Sequence, residues 1–315
     1  MEKSLKKCYT ICVVINKSER RIDMTYQEFE KKVIEKLKER TGMEIEQCNY
    51  PKINGFKQGI ILSNGKKING AFPVIYLNLF FEEFQSGEKD IDEIVQDIIE
   101  NYETWKFQGN NIEIKDFMEF ENCKNYIFPR LINRERNEEF LKNAVSTSFY
   151  DLELVYYVEY VDEYEVGYAM LISKNHLEIW NVSENTIIEC AKQNIEGKPI
   201  YIETLSSLLK PFNIIENTRR NEIYVVTNKG GSYGAYEVLR KNVQEKLRDI
   251  LKGNFYIIPS SVHEVIIVSE RYGIPKEVLR QMVREINRTS VSTEEVLSDN
   301  IYFYDFLKGE ILLVE

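Results

Sequence analysis

Between Phe255 and Glu270 two short apolar runs, Phe-Tyr-Ile-Ile and Val-Ile-Ile-Val, flank the polar turn Ser260-Ser261-Val262-His263-Glu264. Brief runs of isoleucine, valine and aromatics around such a turn are the pattern of two strands joined by a tight connection. A chain that carries this unit must build a sheet around it. The turn also holds one of only two histidines in 315 residues, so it is the best local candidate for a reactive centre.

The length allows about two domains. An apolar fraction of 43% is too high for disorder, and 20 tyrosines and 16 phenylalanines against 7 prolines and 15 glycines favour regular elements with real cores. Cys8, Cys12, Cys48, Cys123 and Cys190 contain no CxxC pair and leave an odd count, so a reduced, cytoplasmic setting is expected. Lys3, Lys6 and Lys7 precede an apolar run at Cys8–Ile15, but Lys17, Glu19, Arg20 and Arg21 follow it where a secretory leader needs small residues. Residues 1–23 are therefore read as an N-terminal extension, either an extra strand or the product of an upstream start. No run approaches the roughly 20 apolar residues of a membrane-spanning helix, so no membrane partner is expected.

The net charge is −10, and it is unevenly placed. From Glu82 to Glu121, thirteen acidic residues face only Lys89, Lys106 and Lys115. An acidic chain without a basic stripe is poorly suited to phosphate backbones, so nucleic acid is disfavoured as a partner. The acidic block reads as a solvated helix face.

Thr25-Tyr-Gln-Glu28 is a capping box, and Tyr26, Phe29, Val33 and Leu37 mark one face of the helix it starts. Phe56–Leu62 and Lys67–Ala71 read as strands joined through Asn64-Gly65, a hairpin dipeptide. Phe72–Phe81 is apolar enough for strand or helix. Asp90 caps an amphipathic helix with Ile91, Ile94, Val95, Ile98, Ile99, Tyr102 and Trp105 on one stripe. The polar stretch Gln108–Glu121 connects this N-terminal unit (24–121) to a C-terminal unit (122–315).

The second unit reads as strand (Tyr126–Ile132), short helix (Arg134–Asn143), a strand pair (Leu152–Tyr160, Val166–Ile172), a further strand (His176–Val182) and a helix capped by Ser183. Then come strand Glu222–Thr227, one helix over Gly234–Leu251, strands Asn254–Ile258 and His263–Val268, and a helix from Pro275. Ser292-Thr-Glu-Glu295 reads as another capping box, and Asn300–Asp305 with Glu310–Val314 as a closing hairpin. His176 and His263 each lead through an apolar run to Ser-Glu, which suggests either a duplicated strand–helix unit or convergent patterning. Grouped strands with interspersed helices imply an α+β fold, with mixed or antiparallel sheet layers and helices packed on one face.

Several of these residues carry a family resemblance. Ile258-Pro-Ser-Ser-Val-His-Glu264, Met282-Val-Arg-Glu-Ile-Asn287 and Glu295-Val-Leu-Ser-Asp-Asn-Ile-Tyr302 resemble the bacterial domain-of-unknown-function family 5688. Thr227-Asn228 with Gly234-Ala235, and Leu131-Ile-Asn133 with Asn137, fit the same pattern from Met24 to the C-terminus. The order of elements is more distantly similar to the YtpQ-like family. The resemblance implies continuity of fold and supplies no catalytic residue, cofactor or partner.

Chemistry must then be argued from the residues. A serine nucleophile needs a base within hydrogen-bond reach and a third group to orient it. Ser260, Ser261 and His263, with Glu264 or Asp299 as orienting carboxylate, are the best local candidates for such a grouping. No Gly-x-Ser-x-Gly elbow or oxyanion hole accompanies it. His263-Glu264 begins like a zinc helix, but position 267 is isoleucine, so no metal is expected. The glycine-rich turn Lys229-Gly230-Gly231-Ser232 can offer amides and a lysine to a phosphate-bearing ligand, although it matches no phosphate-loop motif. Tyr156, Tyr157, Tyr160, Tyr164 and Tyr168 suit either a sheet core or a partner surface. The expectation is a cytoplasmic, non-catalytic protein without a cofactor that binds a protein or small-molecule partner through its C-terminal unit. The alternatives are a hydrolase or transferase at Ser260–Glu264, or a nucleotide-binding protein at Lys229–Gly234.

Overall fold

The computed structural model describes residues 24–63, 74–108, 117–161, 167–209 and 223–314. The chain divides into two compact units, with the boundary between Asn122 and Cys123.

In the first unit, helices α1 (Tyr26–Thr41), α2 (Asn78–Gln85) and α3 (Ile91–Gln108) accompany a sheet of β1 (Glu44–Lys52), β2 (Gly55–Ser63) and β3 (Val74–Tyr76) in that order. The cap of α1 is reciprocal: Glu28 N–H donates to Thr25 Oγ1 at 3.3 Å, and Thr25 N–H to Glu28 Oε2 at 2.9 Å. Asp90 and Glu93 cap α3 in the same way, at 2.9 Å each. Capping leaves the apolar stripes free to bury, and Phe29, Val33 and Leu37 of α1 meet Ile94, Val95, Ile98 and Tyr102 of α3 in one core with Ile60, Leu62 and Ile75. The Trp105 side chain lies outside the described residues. On the rim, Lys36 and Arg40 both reach Asp92 at 2.7 Å, a water-screened cluster that adds little stability.

Strand β1 has no counterpart in the sequence reading, because Glu-Ile-Glu-Gln-Cys-Asn-Tyr-Pro-Lys lacks apolar alternation. It becomes a strand by pairing with β2 along its whole length, from Glu44 opposite Ser63 to Lys52 opposite Gly55. Its edge position tolerates Pro51. The turn between them is Ile53-Asn54, with Asn54 at φ 63°. The expected strand at Lys67–Ala71 and its Asn64-Gly65 turn lie outside the described residues, as do residues 1–23 and 109–116. Of the ambiguous run Phe72–Phe81, the described part divides into β3 and the start of α2.

The second unit has two antiparallel sheets. The smaller contains β4 (Ile127–Asn133), β5 (Ser146–Phe149), β6 (Leu152–Val161) and β7 (Gly167–Leu171), with β6 at its centre. Helices α4 (Lys174–Trp180) and α5 (Glu184–Glu196) follow. The larger sheet adds β8 (Tyr201–Thr204), β9 (Ile223–Thr227), β10 (Phe255–Ile258), β11 (Val265–Ser269), β12 (Tyr302–Asp305) and β13 (Glu310–Leu313), ordered β13-β12-β10-β11-β9-β8. The unit's remaining long helices are α6 (Lys241–Leu251) and α7 (Lys276–Thr289). The fold is α+β, and every strand pair among the described residues is antiparallel.

The first feature of the sequence folds as its pattern demands. Strands β10 and β11 pair from Phe255 opposite Ser269 to Ile258 opposite Ile266. One face of the pair, with Ile258 and Val268, packs under Leu279 and Val283 of α7. On the other face, Ile257 and Val265 meet Val238, Leu239, Leu131 and Leu152 around a residual cavity of only about 10 Å³. That interior has no room for a ligand.

Four sequence expectations are corrected. His176–Val182 is not a strand: its first five residues lie in α4, where Ser173 N–H donates to His176 Nδ1 at 3.0 Å and the His176 ring stacks on Trp180 one turn later. The echo between the His176 and His263 segments is therefore convergent patterning, since one begins in a helix and the other opens a strand. Gly234–Leu251 is not one helix. A 3-10 turn (Gly234–Leu239) breaks at Arg240, whose backbone is extended at φ −70°, ψ 132°, before α6 begins. The break lets buried Arg240 pair with Glu237 and donate to the carbonyls of Glu196 and Lys198 at 3.1 and 2.9 Å. Ile250, near the end of α6, is 40% exposed. Finally, Ser292–Glu295 caps no helix; it closes a turn in which Glu295 N–H donates to the Ser292 carbonyl at 2.8 Å.

Candidate functional site

The glycine-rich turn and the histidine turn are far apart in sequence and adjacent in space. Strand β9 delivers Thr227-Asn228, and β11 begins just after His263. These strands are antiparallel neighbours, with Val226 opposite Val265, so their turns meet. Thr227 Oγ1 donates to the His263 carbonyl at 2.8 Å, and Ala235 N–H donates to the Val262 carbonyl at 3.3 Å. Gly234 sits at the crossing. A Cβ there would lie 2.6 Å from Asn228 N and 2.7 Å from the His263 carbonyl oxygen, so only glycine fits.

The imidazole of His263 belongs to this junction. Tyr233 N–H donates to Nδ1 at 3.1 Å, which assigns the proton of the neutral ring to Nε2. Nε2 faces Glu295 Oε1 at 3.4 Å. Glu295, read from sequence as a helix cap, thus stands where an orienting carboxylate was sought. Asp299 is engaged elsewhere, accepting from Asn287 Nδ2 at 2.8 Å.

The serines turn away from the ring. Ser261 Oγ accepts from the backbone N–H of His263 at 3.0 Å and donates to Glu264 Oε1 at 3.4 Å. Ser260 Oγ donates to the Glu264 carbonyl at 3.1 Å and to Oε1 at 3.4 Å. Both serines are buried, and neither hydroxyl bonds to the imidazole. Their geometry is that of a hydroxyl-stapled turn. Burial raises the Glu264 carboxyl above its ordinary range, against the opposing pull of His263 and the two serines.

The rise in Glu264 has a sign that can be measured. A folded-state pKa above the unfolded one gives stability that is fully present below the ordinary carboxylate range and is lost as pH climbs through the folded value. Glu264→Gln removes that loss. Urea unfolding at pH 4 and pH 8 should therefore show the variant gaining on the parent at the higher pH; a gap that is constant or reversed contradicts a desolvated carboxylate.

In the other turn, Lys229 and Gly230 are exposed at the tip. Gly231 N–H donates to the Asn228 carbonyl at 3.2 Å, Ser232 N–H to Asn228 Oδ1 at 3.3 Å, and Asn228 Nδ2 to the Ser232 carbonyl at 2.7 Å. With Tyr233 bound to His263, three consecutive amides are engaged inside the protein and do not fan toward a ligand. Among the described residues no group of three or more His, Cys, Asp or Glu side chains is placed to hold a metal ion.

The group that sequence reasoning passed over is Arg130. Strand β4 carries it against Tyr233, which adopts φ 54° just ahead of the glycine crossing. Its guanidinium lies between two rings, with Cζ 3.7 Å from the Tyr233 centroid and 4.0 Å from that of Tyr157 on β6. Nε donates to Glu159 Oε1 at 2.7 Å. Burial pushes the Tyr157 hydroxyl up despite the nearby Arg130 charge. The available signal was the charge itself: Arg130 is the one charged residue in Ile127–Asn133, and a charge in an apolar strand needs partners.

A second polar centre lies at the turn between β5 and β6. Asp151 Oδ1 accepts from Tyr302 Oη at 2.6 Å, and Oδ2 accepts from Ser298 Oγ at 2.6 Å and Asn300 Nδ2 at 3.1 Å. Nearby, Asn133 Nδ2 donates to the Leu297 carbonyl at 3.0 Å and Asn287 Nδ2 to the Ser298 carbonyl at 2.8 Å. Val262 N–H donates to the Glu295 carbonyl at 2.9 Å, which joins this loop to the histidine turn. The scattered residues of the family pattern, from Asn133 to Tyr302, therefore meet in two connected loops.

The model of DUF5688, a family of unknown function, matches residues 26–306, whereas no curated protein and no solved structure matches the chain. Most of both units lies within the match, and the chain belongs to the DUF5688 family.

Proposed function

We propose that this chain is a cytoplasmic bacterial protein that binds a ligand, without catalysing its conversion, at the surface formed by Arg130, Tyr157, Tyr233 and His263. The observation that carries the reading is the guanidinium held between two tyrosine rings beside an imidazole whose tautomer is fixed. Such a cluster is rigid, aromatic and charged, which are the properties of a recognition surface. Among the described residues the histidine ring has a backbone amide and a carboxylate as polar neighbours and no nucleophile bonded to it, which favours binding over acyl or phosphoryl transfer. The free thiol of Cys48 supports a reducing compartment.

A thermal-shift screen of the full chain with phosphorylated and carboxylated metabolites and short peptides tests the reading. At least one compound should raise Tm by about 2 °C or more at saturating concentration. Tyr233→Leu should abolish that shift while keeping its own cooperative unfolding. Turnover of an ester or phosphoester by the parent chain that disappears in Ser261→Ala or His263→Ala would sink it.

A further inference from the structure

We infer that Arg130 is an oxyanion receptor: its Nη edge binds the carboxylate or phosphate group of the ligand. The inference rests on the binding reading above and names the chemistry recognised at that surface. Arg130 is more than nine-tenths buried, a position an arginine takes only when its charge is answered. The answer in the structure is partial. Both faces of the guanidinium are covered by tyrosine rings, and Nε is bound to Glu159. No carboxylate or carbonyl oxygen accepts from Nη1 or Nη2 among the described residues, and neither atom is shut off from solvent. The N–H groups that the Tyr157 hydroxyl does not take are thus left on a fork clamped between the two rings.

That geometry suits a planar or tetrahedral oxyanion, which an arginine grips through two N–H groups at once. Clamping lowers the ordering cost of binding, because the side chain has already lost its rotamer freedom. The Tyr157 hydroxyl accepts from the guanidinium and marks the same edge. Lys198 adds a second positive charge: its Nζ sits 5.0 Å over the ring of Phe128, two residues before Arg130 on the same face of β4. Glu159 works in the opposite sense, holding Nε while repelling an incoming anion. A purely structural arginine would satisfy Nη inside the protein, as Arg240 does by donating to two carbonyls.

The experiment follows the guanidinium ¹⁵N signals of Arg130 in the full chain during separate titrations with inorganic phosphate and with succinate. At least one probe should shift the Nη resonances saturably; phosphate alone marks a phosphoryl ligand and succinate alone a carboxylate. Glu159→Gln should tighten that binding about 3- to 10-fold by removing the competing charge. Lys198→Ala should weaken it about 2- to 5-fold, and Arg130→Lys by about tenfold or more through loss of the fork. The Glu159 variant keeps the test decisive if Arg130→Lys folds poorly. Nη signals that stay still under both probes, in parent and Glu159→Gln alike, overturn the inference. If a screened ligand still binds through Tyr233 in that case, the anion receptor falls and the binding reading stands.

Discussion

Gly234→Ala is expected to destabilise the C-terminal unit by about 3 kcal/mol, at the upper end of the usual cost of overpacking. A methyl group at this position meets backbone on two sides, Asn228 N at 2.6 Å and the His263 carbonyl oxygen at 2.7 Å, and neither can swing away like a side-chain end. It also meets Thr227 Oγ1, which donates to that same carbonyl. To admit the methyl, β9 must part from the histidine turn, which breaks the Thr227 bond and pulls Tyr233 from His263 and Arg130. Gly230→Ala is the internal control, because a Cβ there meets only Asn228 Oδ1 at 3.7 Å and its effect should stay within about 0.5 kcal/mol. Urea unfolding measures both. Equal midpoints for the two variants would mean that the turns are not in the contact described.

Asp151→Ala should be nearly as damaging, again by about 3 kcal/mol. The carboxylate accepts from three side chains, of which Ser298 is fully buried and Tyr302 is 2% exposed. Removing it leaves two buried hydroxyls without their acceptor, at roughly 1–3 kcal/mol each. Asp151 also pushes the Tyr302 hydroxyl further above its ordinary range, after the larger effect of burial. Asp151→Asn keeps one carbonyl acceptor but turns an amide toward the other donors, so its loss should be intermediate. Denaturant midpoints rank the three proteins, and amide exchange in β12 should speed up in the alanine variant. A loss below about 1 kcal/mol would show that the carboxylate is not the hub of this loop.

These two positions show how differently a site can be written in a chain. Gly234 was visible as part of a glycine-rich turn, yet its reason is a crossing of backbones that only the pairing of β9 with β11 creates. Asp151 gave no local signal; its three donors lie about 150 residues downstream. The serine–histidine grouping was visible, but its geometry was not. In an extended segment Ser261 and His263 would share a side, but the segment bends, and the hydroxyls close the turn with Glu264.

What the sequence determined by itself is whatever depends on neighbours within one turn of helix or one strand. The caps at Thr25 and Asp90 are of this kind, as are the stripes of α1 and α3, the β10–β11 hairpin, the closing hairpin and the family pattern. Local hydrogen bonding and period suffice to fix them. Tertiary structure alone decided β1, which becomes a strand through its partner's backbone. It also decided α4, the break at Arg240, and the meeting of Arg130, Tyr157, Tyr233 and His263. In these places the deciding energy is long-range pairing or the burial of a charge, and neither leaves a trace in the local order of residues.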